Sequence, residues 1–310
     1  MLSFFIETSD KKTVKLPAPV SVVYNSEYSV PADNISLSLP YVGEGADKAD
    51  FIFAYEGDRL VFKGVVDEII TLCSFGGMRT KINARSMAGV LLDNEAQPNV
   101  YTNATPEFIF KNNLKPFGFT EFDAGTTAYY GNLNINKGMS EWQVLENYCR
   151  NKYSSIPRVE GNGRVVFDGR LQSEKIVFSE HGEHSFSSFI KNIKKYRSVS
   201  EVRLRLKENS GYRSVLKNEN YDSSVMRRRF VDALSGRRSA STADKILNES
   251  VNSSFEITLE CPYRLFDVAG KRAEVQSRTF CTITDLYIHS LRYTLDKNGE
   301  KTTVVLRKVR

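Results

Sequence analysis

Over the first 85 residues apolar and polar positions alternate in short runs, the period of strands half buried in a sheet. "VSVVYNSEYSVPADNISLSLPY" holds two such runs, broken at Pro31-Ala32-Asp33-Asn34, a cluster of turn residues. "GDRLVFKGVVDEIITL" opens on a Gly57-Asp58 turn and puts apolar residues on both alternating sets: Leu60, Phe62 and Val66, then Val61, Val65 and Ile69. That pattern predicts a long strand covered on both faces or bent at Gly64. Gly76-Gly77 turns the chain, and "MRTKINA" alternates as the returning strand.

Helical signals fill the middle of the chain. Ser86 stands where an N-cap would start a short helix, "MAGVLLDN". Thr105 and Pro106 are placed to cap and open a second, "TPEFIFKNNL", since proline at the first helical position gives up no hydrogen bond; Gly118 follows its expected end. In "GMSEWQVLENYCRNKY", Ser140 and Gln143 make an S-x-x-Q capping box, and Met139 and Val144 are spaced to staple the entry. Val144, Leu145, Tyr148 and Cys149 share one face of that helix. Asn162-Gly163 in "IPRVEGNGRVVFDG" predicts a type I′ hairpin, so helix plus hairpin form one unit over roughly 138–168.

Strands return after residue 185. "VSEVRLRLKE" sets Val202, Leu204 and Leu206 against Arg203, Arg205 and Lys207, one face apolar and one basic. The Ser- and Arg-rich stretch that follows breaks the alternation and predicts an insertion over about 216–254 with a helix near "TADKILNESV". "FEITLECPYRLFDVAGKRAEV" is strand again. "LYIHSLRYTLDKNGEKTTVVLRKV" reads as two long strands joined around Asn298-Gly299, the first shifting phase between Ile288 and Leu291 as at a β-bulge. No short-period repeat is present.

A chain of 310 residues has room for two or three units with cores of their own. No stretch approaches the roughly 20 apolar residues of a membrane helix, and the start lacks the basic segment of a signal peptide, so the expectation is a protein made and at first kept inside a cell. Cys73, Cys149, Cys261 and Cys281 form no CxxC pair; buried or half-buried free thiols are expected rather than a zinc ribbon. The net charge is +6, with the basic excess after residue 190, which permits contact with nucleic acid or an acidic partner without requiring either.

Catalytic chemistry has little support. His181 and His184 lie in "SEHGEHSFSS", a polar loop without the HExxH spacing that sets two imidazoles on one helical face; His289 sits in a strand. The phosphate-cradling and serine-elbow motifs are missing. Asp67 and Glu68 are expected on opposite faces of a strand, and Asp93 and Glu95 diverge by roughly 200° on a helix, at its unfavourable end for negative charge. A cell-wall hydrolase would need a carboxylate pair or metal triad in one cleft. Neither a catalytic residue, a metal site nor a cofactor is therefore assigned. The one candidate contact is basic: Arg227, Arg228 and Arg229 with Arg237 and Arg238, facing phosphate, an acidic partner or solvent. Phe230 is the sole aromatic inside it, thin for a base-stacking platform.

The order of segments carries a resemblance. "LVFKGVVDEI", "ARSMAGVLLDNEA", "TPEFIFKNNLKPFGF", the helix and glycine-turn hairpin over 138–168, and the closing "ITDLYIHSLRYTLDKNGEKTTVVLRKV" together resemble the baseplate hub proteins of contractile-tailed phages, the Mu-like tail proteins, a family that includes hubs of R-type bacteriocins and contractile injection systems. The match in order covers most of the chain; "CPYRLFDVAGKRAEV" departs from it, where a more Gly-rich connection is expected. The resemblance implies a mainly β fold with α+β insertions: two tail-tube-like antiparallel β-barrels, over 1–95 and 185–310, around a mixed α/β middle domain over 96–184. It implies a structural, non-enzymatic role. Three copies would form a ring joining a threefold central spike to a sixfold tail tube or its initiator, in contact with baseplate wedge proteins. DNA or other cargo would pass the channel without specific binding or membrane insertion. Assembly would take place in the bacterial cytoplasm. The alternative is a nucleic-acid-binding β-protein using the basic strand face and arginine-rich loop.

Overall fold

The computed structural model describes residues 2–206, 211–221, 223–232 and 238–309. The chain forms two compact units, Met1–Ser173 with Pro262–Lys271 and His289–Thr303, and Glu174–Cys261 with Arg272–Ile288 and Val304–Arg310. It is mainly antiparallel β.

The first unit begins with seven strands: β1 (Leu2–Thr8), β2 (Thr13–Lys15), β3 (Ser21–Glu27), β4 (Asn34–Pro40), β5 (Ala49–Glu56), β6 (Arg59–Ser74) and β7 (Gly77–Ser86). They are hydrogen-bonded in the order β2-β1-β5-β6-β7-β4-β3. β1, β3 and β4 bury alternate residues, Phe4 and Ile6, Val22 and Tyr24, Ile35 and Leu37, as strands with one face on a core must.

The double apolar pattern of β6 comes from two bulges. Tyr55 faces Leu60 and Ala54 faces Phe62, so Val61 is an extra residue; Val66 faces Ala84 and Glu68 faces Asn83, so Asp67 is another. Each extra residue flips the alternation, and Val61 and Phe62 are buried in succession. Gly64 has a separate role: a Cβ there would lie 2.2 Å from the Arg85 carbonyl oxygen and 2.7 Å from the Phe62 ring.

The next elements are α1 (Ala88–Asp93), β8 (Asn99–Thr102), α2 (Pro106–Ile109), β9 (Phe122–Asp123), β10 (Asn132–Ile135), α3 (Glu141–Tyr153), β11 (Arg158–Val159) and β12 (Val165–Val166). They enclose a second core, with Leu91, Ile109, Leu114, Trp142, Leu145, Tyr148 and Phe167 buried and Met139 packed against it. Thr105 caps α2 through Phe108 N–H, and Ser140 and Gln143 form both halves of the capping box on α3. Ser86 does not cap α1. Met87 holds that position, and the Ser86 hydroxyl instead accepts the Asp33 N–H at 3.1 Å. The hairpin is also not type I′, which would need positive φ at both central residues. Asn162 lies outside that region, Gly163 has φ 88°, and Gly163 N–H donates to Glu160 O at 2.8 Å, closing a three-residue loop.

The second unit holds β13 (Gln172–Ser179), β14 (Ser188–Ile193), β15 (Glu201–Arg205), β16 (Ser214–Lys217), β17 (Arg228–Asp232), α4 (Arg238–Ser254), β18 (Phe255–Cys261) and β19 (Lys271–Ser277). β14 pairs with β18 along its whole length. The stretch expected to be an insertion with a helix near "TADKILNESV" holds β16, β17 and α4, which with β15 form a module with its own core. β15 lies between antiparallel β16 and parallel β17, and Val202 and Leu204 pack with Ala243 and Leu247 of α4.

The last strands, β20 (Cys281–Asp296) and β21 (Gly299–Lys308), contribute to both units. Burial changes phase where expected: Leu286 and Ile288 are buried, then Leu291 and Tyr293, with His289 buried between. In the first unit Ser290–Leu295 pairs with β3, and Tyr24 stacks on Phe266 at 4.6 Å, with Phe62 and Tyr293 at the margins.

Candidate assembly surfaces

The acidic pairs are structural. Arg85 holds Asp67 through Nε and Nη2 at 2.7 and 2.8 Å and Asp93 through Nη1 and Nη2 at 3.1 and 2.6 Å. The two carboxylates push its guanidinium pKa further up. Glu95 accepts the Gly138 N–H at 2.8 Å, so Asp93 and Glu95 serve different segments. Asp67 and Glu68 do not diverge: they bind Arg85 and Asn83, which lie two apart on β7 and share a face. The bulge at Asp67 produces this.

Among the described residues no cluster of three or more His, Cys, Asp or Glu could hold a metal ion. Glu180 accepts hydrogen bonds from the Ser277 hydroxyl and Arg278 N–H, and the His184 carbonyl accepts the Ser179 N–H. Cys149 and Cys261 are buried, and burial pushes the Cys149 thiol pKa up; Cys73 and Cys281 are exposed, contrary to expectation.

The basic strand face is neutralised from within the module. Parallel pairing sets Glu201 opposite Arg228 and Arg205 opposite Asp232. Glu201, 8% exposed, binds both Arg228 and Arg203, the latter at 2.9 Å, and these contacts pull its pKa down. Arg205 meets Asp232 at 2.7 Å, and Asp232 also accepts from the Tyr212 hydroxyl. Arg227 donates to the Tyr221 hydroxyl, and Arg229 is exposed with one donor on the Arg228 carbonyl. Arg238 opens α4, while Arg237 and Lys207 lie outside the described residues. Of the four described arginines, Arg227 precedes β17, Arg228 and Arg229 lie on it, and Arg238 starts α4.

Asp33 is a partly buried carboxylate of the first unit. Asp33 accepts the Tyr24 hydroxyl at 2.7 Å, and desolvation pushes its pKa up to about 6 despite that bond and one to Ser26. Asp267, on the segment that carries Phe266, is raised by desolvation as well, against the lowering effect of the Gly161 N–H.

Two exposed features were not read from the sequence. An open groove of about 420 Å³ on the outer face of β1 and β5 is lined by Phe5, Phe53 and Tyr55, with Glu7 and Asp58 also in its walls. At the β6–β7 tip Phe75 is fully exposed, flanked by Leu72 and Met78, both exposed. The groove's signal was present in "SFFIET" and "FIFAYE", where the set facing away from the core is aromatic rather than polar. No helix among the described residues is long and apolar enough to cross a membrane.

No family model and no curated protein matches the chain. Solved structures do. The tail protein of Neisseria meningitidis MC58 is similar over 99% of this chain and 96% of that one, with a TM-score of 0.76 at 16% identity. The 43 kDa tail protein of prophage MuSo2 from Shewanella oneidensis is similar over 98% and 97%, with a TM-score of 0.76 at 12% identity. A type VI secretion component of E. coli, described as structurally similar to the T4 tail proteins gp27 and gp5, is similar over 94% of this chain and 74% of that one, with a TM-score of 0.59 at 10% identity. At these identities the likeness is one of fold, and the fold is that of phage tail proteins.

Proposed function

We propose that the chain is the baseplate hub of a contractile tail, three copies forming a ring that joins a threefold spike to a sixfold tube around a central channel. The observation that carries this reading is the end-to-end likeness to two tail proteins, which spans nearly all of each chain. Two β-rich barrels per chain, over 1–95 and 185–310, would let three copies offer six similar faces to the tube. Open strand edges suit that role, since neighbouring subunits can cover them. The role is structural rather than enzymatic, and the exposed part of the arginine segment contacts an acidic partner surface. The test is native mass spectrometry of the purified protein, followed by binding to its cognate spike and tube proteins. Three chains per particle and affinity for either partner are expected. A strictly monomeric protein that binds neither overturns the proposal.

A further inference from the structure

Among the described residues the large sheet ends in three strands with an open edge, β2, β13 and β14, and β2 and β14 are complementary in chemistry. β14 pairs with β18 and with no other strand among the described residues. It exposes Ile190 and Ile193, 56% and 57%, and the next turn exposes Tyr196, 66%, beside Lys195 and Arg197. Lys194 is bound to Glu256 and Lys191 lies over the Phe255 ring, so the outward positive charge rests on Lys195 and Arg197. At the other end β2 pairs with β1 alone. The aromatic groove reaches this edge at Thr13, and Glu7 and Asp58 line it. It already receives ammonium groups from its own chain: Lys15 Nζ lies 6.0 Å over the Phe5 ring, and Lys11 binds Glu7 at 3.2 Å.

We infer that copies of this chain join head to tail, the open edge of β14 in one copy adding to the edge of β2 in the next, with Ile193 and Tyr196 entering the aromatic groove. Unpaired backbone N–H and C=O groups on an exposed apolar strand call for another strand. The chemistry of the receiving side fits this one: aromatic rings and a carboxylate accept apolar and cationic side chains. Two different edges make a heterologous contact, which closes into a ring or runs on as a filament. The inference rests on the ring reading above and assigns its contact.

The test starts from a C73S/C281S background, which removes the exposed thiols. Val14, 41% exposed, and Ile190 are changed to cysteine together and singly, and treated with a short bismaleimide. The double variant is expected to give a ladder ending at three chains on a denaturing gel, and each single variant none. Separately, I193D with K195E is expected to release monomers, with the far-ultraviolet circular dichroism unchanged as the check on folding. A wild-type protein that is monomeric overturns the ring itself. A three-chain particle in which the cysteine pair does not cross-link overturns this contact and leaves the ring standing. The cross-link decides the matter even where I193D with K195E does not fold.

Discussion

Arg85 grips Asp93 through a pair of hydrogen bonds, Nη1 to Oδ1 at 3.1 Å and Nη2 to Oδ2 at 2.6 Å, while its Nε edge holds Asp67. One side chain on β7 thereby ties the bulge of β6 to the end of α1. All three groups are partly exposed, so water and salt weaken each pair, but a bidentate network outlasts isolated surface pairs. R85M is expected to cost about 1–2 kcal/mol, less at high salt. Urea unfolding followed through Trp142, the single tryptophan, measures this in the first unit.

Gly64 and Gly57 separate steric from conformational need. A Cβ at Gly64 would meet the Arg85 carbonyl at 2.2 Å, backbone that cannot swing away, whereas Gly57 has φ +60° and open space around it. G64A is therefore expected to lose about 3 kcal/mol or more through overpacking, and G57A only about 1 kcal/mol for the left-handed backbone. Equal losses in the same unfolding assay would contradict the packing account.

Features set within four residues were legible in the chain. Thr105, Ser140 and Gln143 cap their helices as expected because a capping bond needs only its own first turn. Ser86 has the same local credentials, but Asp33, 53 residues away, takes its hydroxyl. The bulges at Val61 and Asp67 exist only relative to β5 and β7, so the sequence of β6 showed their consequence, apolar residues on both sets, and not their cause. Glu201 and Asp232, the acids that neutralise Arg228 and Arg205, meet them only through a parallel pairing between strands more than twenty residues apart. Val202 and Leu204 are recognisable as a buried face and "TADKILNESV" as a helix, but nothing local says that Ala243 and Leu247 of that helix are their partners, about forty residues away.

The Ser140–Gln143 box gives a local test. Ser140 Oγ accepts the Gln143 N–H at 3.2 Å, and Gln143 Oε1 accepts the Ser140 N–H at 2.8 Å. S140A is expected to cost about 1 kcal/mol, as loss of a helix cap does. S140D should recover most of it, because a carboxylate also accepts that bond and suits the positive helix end. Trp142, two residues along, reports the change directly.

The last expectation concerns acid. The Asp33 carboxyl sits against Tyr24 and Ser26, with Asp267 raising its pKa and Arg158 lowering it, and desolvation prevails to bring it to about 6. Between the ordinary carboxylate value of 3.8 and 6, the folded chain keeps a proton that the unfolded chain has released. The folded state binds more protons there, so this group's contribution to stability falls as pH rises through that window and levels off above it. The full displacement corresponds to roughly 3 kcal/mol, of which roughly 2 kcal/mol is lost between pH 4 and pH 7. D33N retains an oxygen to accept the Tyr24 hydroxyl and cannot ionise. Relative to wild type it is expected to gain on the order of 2 kcal/mol between pH 4 and pH 7. Comparing the two proteins at each pH cancels the carboxylates with depressed pKa values, such as Glu201 and Glu256, whose contributions are lost in acid. Urea titrations of both at pH 4, 5, 6 and 7 make the measurement. A wild-type-to-D33N difference that stays constant over this range would mean that Asp33 ionises as an ordinary surface carboxylate.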